Sequence, residues 1–190
     1  SLASPDGHIS ASVTVGEEIR YTVSRDGQVL IAPSAVSMSL SDGIVFGRND
    51  RVRKAVRTSF DETFPAVAYK KAEVRDNYNQ ITLMFKEFAL VFRAYDDGVA
   101  YRFESRLGKG REYEVLSEQA EFDFGQDRDA FVPYVIGLGG KQFDGQFYNS
   151  FENTYTVQKL SGWRRDKLAF LPLVVAAENG VKVLATEANL

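Results

Sequence analysis

The chain has 190 residues, of which 44% are apolar and 13% aromatic, and its formal net charge is -3. This length and apolar content predict a single domain over residues 1–190 with one sizeable core. Because the net charge is negative, the composition does not indicate the positive potential that attracts a polyanion. Nucleic acid is therefore not a predicted partner. The absence of cysteine excludes disulfides, thiol nucleophiles and zinc-thiolate sites. No apolar run reaches the eighteen residues that would predict a membrane-spanning helix.

The first forty residues read as a β-meander. Apolar and polar residues alternate over 9–15 and again over 19–23, with turn residues between them. The pattern continues over 28–32, and Pro33-Ser34 predicts a break before period two resumes at Val36. No helix is predicted in this part of the chain.

The next segment is polar and less regular. The mostly basic run 46–54 is typical of a solvated loop or ribbon rather than a binding patch. Residues 59–65 carry two aromatic rings and predict an irregular segment, in which Pro65 argues against a central strand. The adjacent acids Asp61 and Glu62 would point to opposite sides of an extended chain, so they make a poor acid/base pair.

Two hairpins are the strongest signals in the sequence. Residues 88–95 and 99–103 flank Asp96-Asp97-Gly98, and residues 171–177 and 181–185 flank Asn179-Gly180. Such turn residues accept positive φ at low cost, which favours a tight reversal. Frequent turns and the lack of a helical period predict an all-β fold, a large sandwich of two antiparallel sheets. The chain stops at 186–190, directly after a strand, and we expect the sandwich to be truncated at its C-terminal end.

Several chemistries are absent or weakly signalled. His8 is the only histidine and we expect it on the surface, which argues against a histidine-based triad or zinc site. The acids Asp123, Asp127 and Asp129 lack the glycine and terminal glutamate of a calcium-binding loop, and we interpret them as loop acids. The glycines of 137–140 lack the helix and lysine of a phosphate loop.

The stretch 148–156 places one carboxylate, Glu152, between aromatic residues and after the glycine-rich loop 137–145. Such a glutamate is either a solvated surface residue, which the local sequence favours, or a ligand. Calcium prefers several hard oxygen donors, so Glu152 alone would not hold the ion. Trp163 lies in a charged loop, where covering the core is favoured over stacking on a sugar.

A series of ordered motifs resembles the N-terminal domain of glycoside hydrolase family 97. The motifs are Ser4–Gly7, Ser59–Phe64, Arg75–Asn79, Phe92–Phe103, Phe151–Thr156 and Thr186–Leu190. The resemblance runs nearly end to end, and its specificity lies in the order and spacing of the motifs. It implies a β-super-sandwich of the galactose-mutarotase type that packs on a catalytic (β/α)8 barrel in a secreted or periplasmic α-glucosidase or α-galactosidase.

By the same resemblance, Glu152 matches a glutamate that reaches from the sandwich to the active-site calcium, whose other carboxylate ligands sit on the barrel. The catalytic carboxylates belong to the barrel, so no catalytic residue is expected in this chain, and its substrate-binding residues stay unassigned. The expected partners are the barrel and an α-linked oligosaccharide, and the chain alone is expected to bind calcium weakly.

A second hypothesis stays open. The chain would be a stand-alone carbohydrate-binding or interaction sandwich without a catalytic partner. Aromatic residues around one polar region motivate it, namely Tyr148, Phe151, Tyr155 and Trp163.

Overall fold

The computed structural model describes residues 1–67, 70–136, 143–148 and 152–187, and these form two compact units, Ser1–Asp123 and Phe124–Leu190. Regular structure in the described ranges consists of antiparallel strands and three short 3-10 helices. No helix in these ranges has the length and apolar character needed to cross a membrane. The strands are β1 (Leu2–Ala3), β2 (Ile9–Val15), β3 (Ile19–Arg25), β4 (Gln28–Leu40), β5 (Val45–Phe46), β6 (Lys54–Pro65), β7 (Glu73–Met84), β8 (Phe88–Tyr95), β9 (Gly98–Ser105), β10 (Val115–Ala120), β11 (Asp129–Val132), β12 (Thr156–Lys159), β13 (Leu173–Ala176) and β14 (Lys182–Ala185).

The first sheet of the N-terminal unit has the order β1-β2-β3-β4-β10, with β5 also paired to β4. The predicted meander is confirmed, but the predicted break at Pro33 is wrong, because β4 runs through it without interruption. The pairing of β3 with β4 shifts register on either side of Val23, so β4 carries extra residues near the proline. A β-bulge tolerates a residue that cannot donate to the ladder.

The second sheet has the order β6-β7-β8-β9. The predicted hairpin is confirmed as β8 and β9, although Gly98 does not adopt positive φ. The irregular segment predicted for 59–65 is wrong, because these residues complete the twelve-residue strand β6. Pro65 lies outside a central strand, as predicted, because β6 is an edge strand of the sheet.

The two sheets of this unit face each other across an aromatic core. The ring of Tyr21 on β3 lies 5.8 Å from that of Phe92 on β8, and the rings of Phe46 and Phe88 stack at 4.6 Å. Strands β1 and β2 also contact β7, β8 and β9. The predicted all-β, antiparallel sandwich is therefore confirmed, and the alternating apolar residues of both sheets supply its interior.

The C-terminal unit is built on one sheet with the order β12-β11-β13-β14. Its core consists of Ala130, Val132, Tyr134 and Val175, all at most 8% exposed. The predicted hairpin at Asn179-Gly180 is confirmed, and both residues adopt positive φ, 56° and 77°. The single-domain organisation over residues 1–190 stays a prediction.

A candidate metal-binding carboxylate

Glu152 lies in the extended segment that leads into β12, and its side chain is exposed. No hydrogen bond or ion pair joins its carboxylate to another residue in the described ranges. Its oxygens are therefore available to a ligand from outside the chain. The same ranges contain no group of three or more acidic or histidine residues arranged to hold a metal. In the described ranges, therefore, Glu152 does not belong to a complete set of metal ligands within this chain.

The residue after Glu152 is tied to the core of the C-terminal unit. Asn153 Nδ2 donates a hydrogen bond of 2.8 Å to the main-chain carbonyl oxygen of Tyr134, and Asn153 Oδ1 accepts one of 2.8 Å from the Thr154 amide. Both ends of the carboxamide are therefore used. The main chain next to Glu152 is held in place by a side chain and not by strand pairing.

Tyr134, which receives this bond, is only 8% exposed and is fixed from several directions. Its main chain forms an isolated antiparallel bridge with Ala169. Its hydroxyl oxygen accepts hydrogen bonds from Gln158 Nε2 at 3.0 Å and from the Arg164 amide at 2.9 Å. Tyr134 therefore joins the segment 153–158 to the segment 163–169, and we call these contacts the Tyr134 hub.

A second tether lies on the other side of the glutamate. Gln146, in the 3-10 helix Phe143–Phe147, donates from Nε2 to the carbonyl oxygen of Asp166 at 2.9 Å. Its Oε1 accepts a hydrogen bond of 2.8 Å from the Leu168 amide. Polar side chains thus anchor the chain on both sides of Glu152, with Gln146 bound to Asp166 and Leu168 and Asn153 bound to Tyr134.

The aromatic residues of the stretch do not share one environment. Tyr148 is 83% exposed, and Tyr155 is 42% exposed with its hydroxyl donating to the carbonyl oxygen of Pro172. Trp163 packs partly buried against the core, with its ring 5.8 Å from that of Tyr134, so its predicted role as a cover is confirmed. Phe151 and residues 137–142 of the glycine-rich loop lie outside the described residues.

The remaining candidate residues have structural partners. Asp127 accepts hydrogen bonds from the amide and hydroxyl of Ser161, which hold the pKa of its carboxyl below the usual value. Asp129 opens β11 and pairs with Lys159 at 2.9 Å, so the loop prediction is wrong for this residue. His8 is exposed, as predicted, and pairs with Asp26.

Comparisons with known proteins identify the family of the chain. A family model described as glycosyl-hydrolase 97 N-terminal matches residues 2–190. A retaining alpha-galactosidase from Bacteroides thetaiotaomicron is 43% identical over 191 residues, covering 100% of this chain and 28% of that protein. The chain therefore spans less than a third of the length of this relative.

Solved structures share the fold at low sequence identity. A crystal structure of a beta-arabinopyranosidase superposes with a TM-score of 0.85 at 20% identity, covering 100% of this chain and 31% of that one. A glycoside hydrolase family 97 enzyme from a Pseudoalteromonas species, in complex with panose, superposes with a TM-score of 0.77 at 20% identity. That match covers 95% of this chain and 27% of the enzyme.

Proposed function

The chain belongs to the glycosyl-hydrolase 97 N-terminal family, and from this premise we propose that it is the non-catalytic N-terminal part of a calcium-dependent α-glycosidase. In this proposal it packs on a (β/α)8 barrel and supplies Glu152 to the active-site calcium. The observation that carries the proposal is the state of Glu152, which is exposed, has no partner in the described ranges, and lies between two tethered segments.

The chemistry of the side chain agrees with this role. A carboxylate is a hard oxygen ligand of the kind that calcium prefers, and calcium collects six to eight such oxygens. One glutamate cannot replace the hydration shell of the ion, so the remaining ligands would come from the barrel. When bound, calcium would act as a Lewis acid that stabilises negative charge developing on the leaving-group oxygen. The contribution of this chain is to hold one carboxylate at the edge of a rigid unit.

An apolar row on the C-terminal unit supports packing against a further domain. Val157 and Phe131 are cross-strand neighbours, as are Phe131 and Val174, and Val174 and Leu184, so the four side chains lie on one face of the sheet. Val157 is 63% exposed and Leu184 is 57% exposed. Apolar sheet faces are normally covered. β12, which carries Val157, begins four residues after Glu152, so the candidate ligand and this apolar face belong to neighbouring parts of the chain.

The curated relative supports the substrate class that we propose for the parent protein. That protein is a retaining alpha-galactosidase, which supports an α-linked galactoside for the parent of this chain rather than the α-glucoside that the family resemblance also allows. The catalytic carboxylates would belong to the barrel, so the chain alone is expected to be inactive. A hydrolase of oligosaccharides would act in the periplasm or outside the cell.

Replacing Glu152 in the full-length parent protein tests the proposal. Glu152→Gln removes the negative charge at nearly constant volume, and we expect calcium affinity to fall by about 10- to 100-fold, the usual cost of a disturbed metal site. Chelator competition measures this affinity, and hydrolysis of an aryl α-galactoside measures activity. Glu187→Gln is the matched control, because Glu187 is also an exposed glutamate of the C-terminal unit. Equal calcium affinities for the two variants would refute the role of Glu152.

The alternative, a stand-alone carbohydrate-binding sandwich, keeps one supporting observation. Tyr148 is 83% exposed and presents its ring to solvent, which suits stacking on a sugar. Trp163, by contrast, packs against the core of the C-terminal unit. Isothermal titration of the 190-residue chain with an α-galacto-oligosaccharide separates the two functions. Millimolar or tighter binding that Tyr148→Ala abolishes would favour the alternative, whereas the metal-ligand proposal expects no binding by the chain alone.

A further inference from the structure

We propose that Asn153 is a positioning residue that fixes the direction in which Glu152 leaves the C-terminal unit. The inference rests on the proposed function of Glu152 as a calcium ligand. It adds that the adjacent carboxamide, acting through the main-chain carbonyl of Tyr134, sets where that ligand stands. Nothing in the sequence pattern marks Asn153 for this role, and only the contact it makes in the fold reveals it.

Glu152 has no hydrogen bond or ion pair in the described ranges that would orient its side chain. A glutamate side chain has several rotatable bonds, and an exposed one samples many rotamers. The position of its Cα and the direction of its Cα–Cβ bond are therefore what the protein controls. A metal ligand must be held within about 0.5 Å of its productive position by its supporting residues. Control of the main chain at 152–153 is the available means.

On the C-terminal side of Glu152, the position of the main chain is controlled by one side chain, that of Asn153. The residues between Glu152 and the start of β12 at Thr156 lie outside any strand. The carboxamide of Asn153 supplies the missing constraint, with its donor on Tyr134 and its acceptor on Thr154, both at 2.8 Å. The donor crosses 19 residues of sequence, so it fixes the segment to the core and not merely to itself.

The residue to which Asn153 is bound is itself buried and hydrogen-bonded. The Tyr134 hub lies in the core, where Tyr134 is 8% exposed. The Val135 amide donates to Leu168, and the Phe170 amide donates to Pro133, so the main chain on both sides of Tyr134 is paired. The carbonyl that Asn153 binds therefore has a fixed position, and one hydrogen bond to it transmits that position to Glu152. Hydrogen bonds that orient the metal-binding residues commonly determine the geometry of a metal site.

The test uses the full-length parent protein and calcium alone as the probe. We expect Asn153→Ala to lower calcium affinity about 10-fold in a chelator competition assay, the low end of the range for residues that orient metal ligands. The double variant Glu152→Gln/Asn153→Ala should bind calcium no more than about twofold more weakly than Glu152→Gln, because a residue that acts through another has no separate effect. Additive losses would overturn the inference.

Asn79→Ala is the matched control. Asn79 also donates from Nδ2 to a main-chain carbonyl, that of Ala3, at 2.9 Å, but it belongs to the N-terminal unit. Its replacement should leave calcium affinity unchanged, whereas an equal loss in both variants would mean that general destabilisation explains the effect. Thermal unfolding in the presence of EDTA is then compared between the Asn153→Ala variant and the unsubstituted protein. This comparison reports structural damage separately from metal binding.

A second variant covers the case in which Asn153→Ala does not fold. Asn153→Asp keeps the size of the side chain and the acceptor for Thr154 but loses the donor to Tyr134. A nearby negative charge alone would strengthen calcium binding, so weaker binding by this variant supports the tether. Unchanged or tighter binding overturns it. If Glu152→Gln itself leaves calcium affinity unchanged, the proposed function and this inference fail together; if only the Asn153 variants do so, the inference fails alone.

Discussion

The two units of the molecule are stabilised in different ways. The N-terminal unit buries aromatic rings between two facing sheets, with Phe88 and Phe92 at 1% and 0% exposure. The C-terminal unit has one sheet and a smaller core, and the segments that flank Glu152 are held by the side chains of Asn153, Gln146 and Tyr134. Apolar packing tolerates many sequences of similar volume, but a hydrogen bond needs particular atoms at particular places. The structure of the C-terminal unit, which carries the candidate site, therefore depends more on individual hydrogen-bonding atoms than that of the N-terminal unit does.

Removal of a buried ring from the N-terminal unit has the largest expected effect. Phe92 contacts the rings of Tyr21 and Tyr101 at 5.8 and 5.5 Å, and Phe92→Ala should lower the free energy of unfolding by about 3–5 kcal/mol because a cavity remains. Urea unfolding of the chain, followed by far-ultraviolet circular dichroism, measures this loss. Phe64→Ala on the edge strand β6, where the ring is 48% exposed, is the control and should cost less than about 1 kcal/mol. Similar losses in both variants would contradict the aromatic core.

Removal of one oxygen atom from the Tyr134 hub should have a smaller but clear effect. Tyr134→Phe leaves the Arg164 amide and Gln158 Nε2 without their acceptor, and an unsatisfied, partly buried donor costs about 1–3 kcal/mol. Trp163 is the only tryptophan and lies against Tyr134, so its fluorescence reports urea unfolding of this unit. The control is Tyr155→Phe, whose hydroxyl has a single, exposed bond to Pro172. If Tyr155→Phe lowered the free energy of unfolding more than Tyr134→Phe, the stabilising role of the Tyr134 hub would be ruled out.

Most of the strands could be predicted from the sequence because their signals are local. Alternation over 9–15 and the Asn179-Gly180 turn act within a few residues, and both predictions are confirmed. The errors arose where the sheet overrides a local preference. Pro33 lies in a strand because a register shift accommodates it, and the segment 59–65 is extended because β7 pairs with it along its whole length. Neither partner is visible in the local pattern.

The same difference between local and long-range signals applies to the candidate site. Glu152 could be singled out as a lone carboxylate among aromatic residues, and the structure leaves it exposed, while its role as a metal ligand stays a prediction. The contact between Asn153 and Tyr134 could not be predicted, since it joins residues 19 apart with no shared period or turn motif. The sequence therefore singles out a candidate ligand, whereas the contacts of its neighbour Asn153 are visible only in the fold.

The smallest effect is expected in the N-terminal unit. There the interaction of an exposed polar pair should be detectable as a shifted pKa, although it contributes little to the free energy of unfolding. His8 Nδ1 lies 2.5 Å from Asp26 Oδ1, and the two side chains are 60% and 58% exposed. The hydrogen bond and the charge of Asp26, followed by the charge of Asp6, raise the pKa of His8 above its ordinary 6.5. The pair therefore stabilises the fold fully below pH 6.5, and this contribution is lost as pH rises through the pKa of the folded state.

The single histidine makes this prediction easy to measure. The imidazole proton signals of His8 give its pKa in an NMR titration, and Asp26→Asn should lower that pKa towards 6.5 because the carboxylate that favours the imidazolium is gone. Asparagine also tolerates the positive φ of 48° at this position. The urea midpoint should hardly move, since exposed pairs contribute little. A pKa that is the same in both proteins would show that Asp26 does not bind the ring, and a large fall in the midpoint would mean that polar contacts support the N-terminal unit as they do the hub of Tyr134.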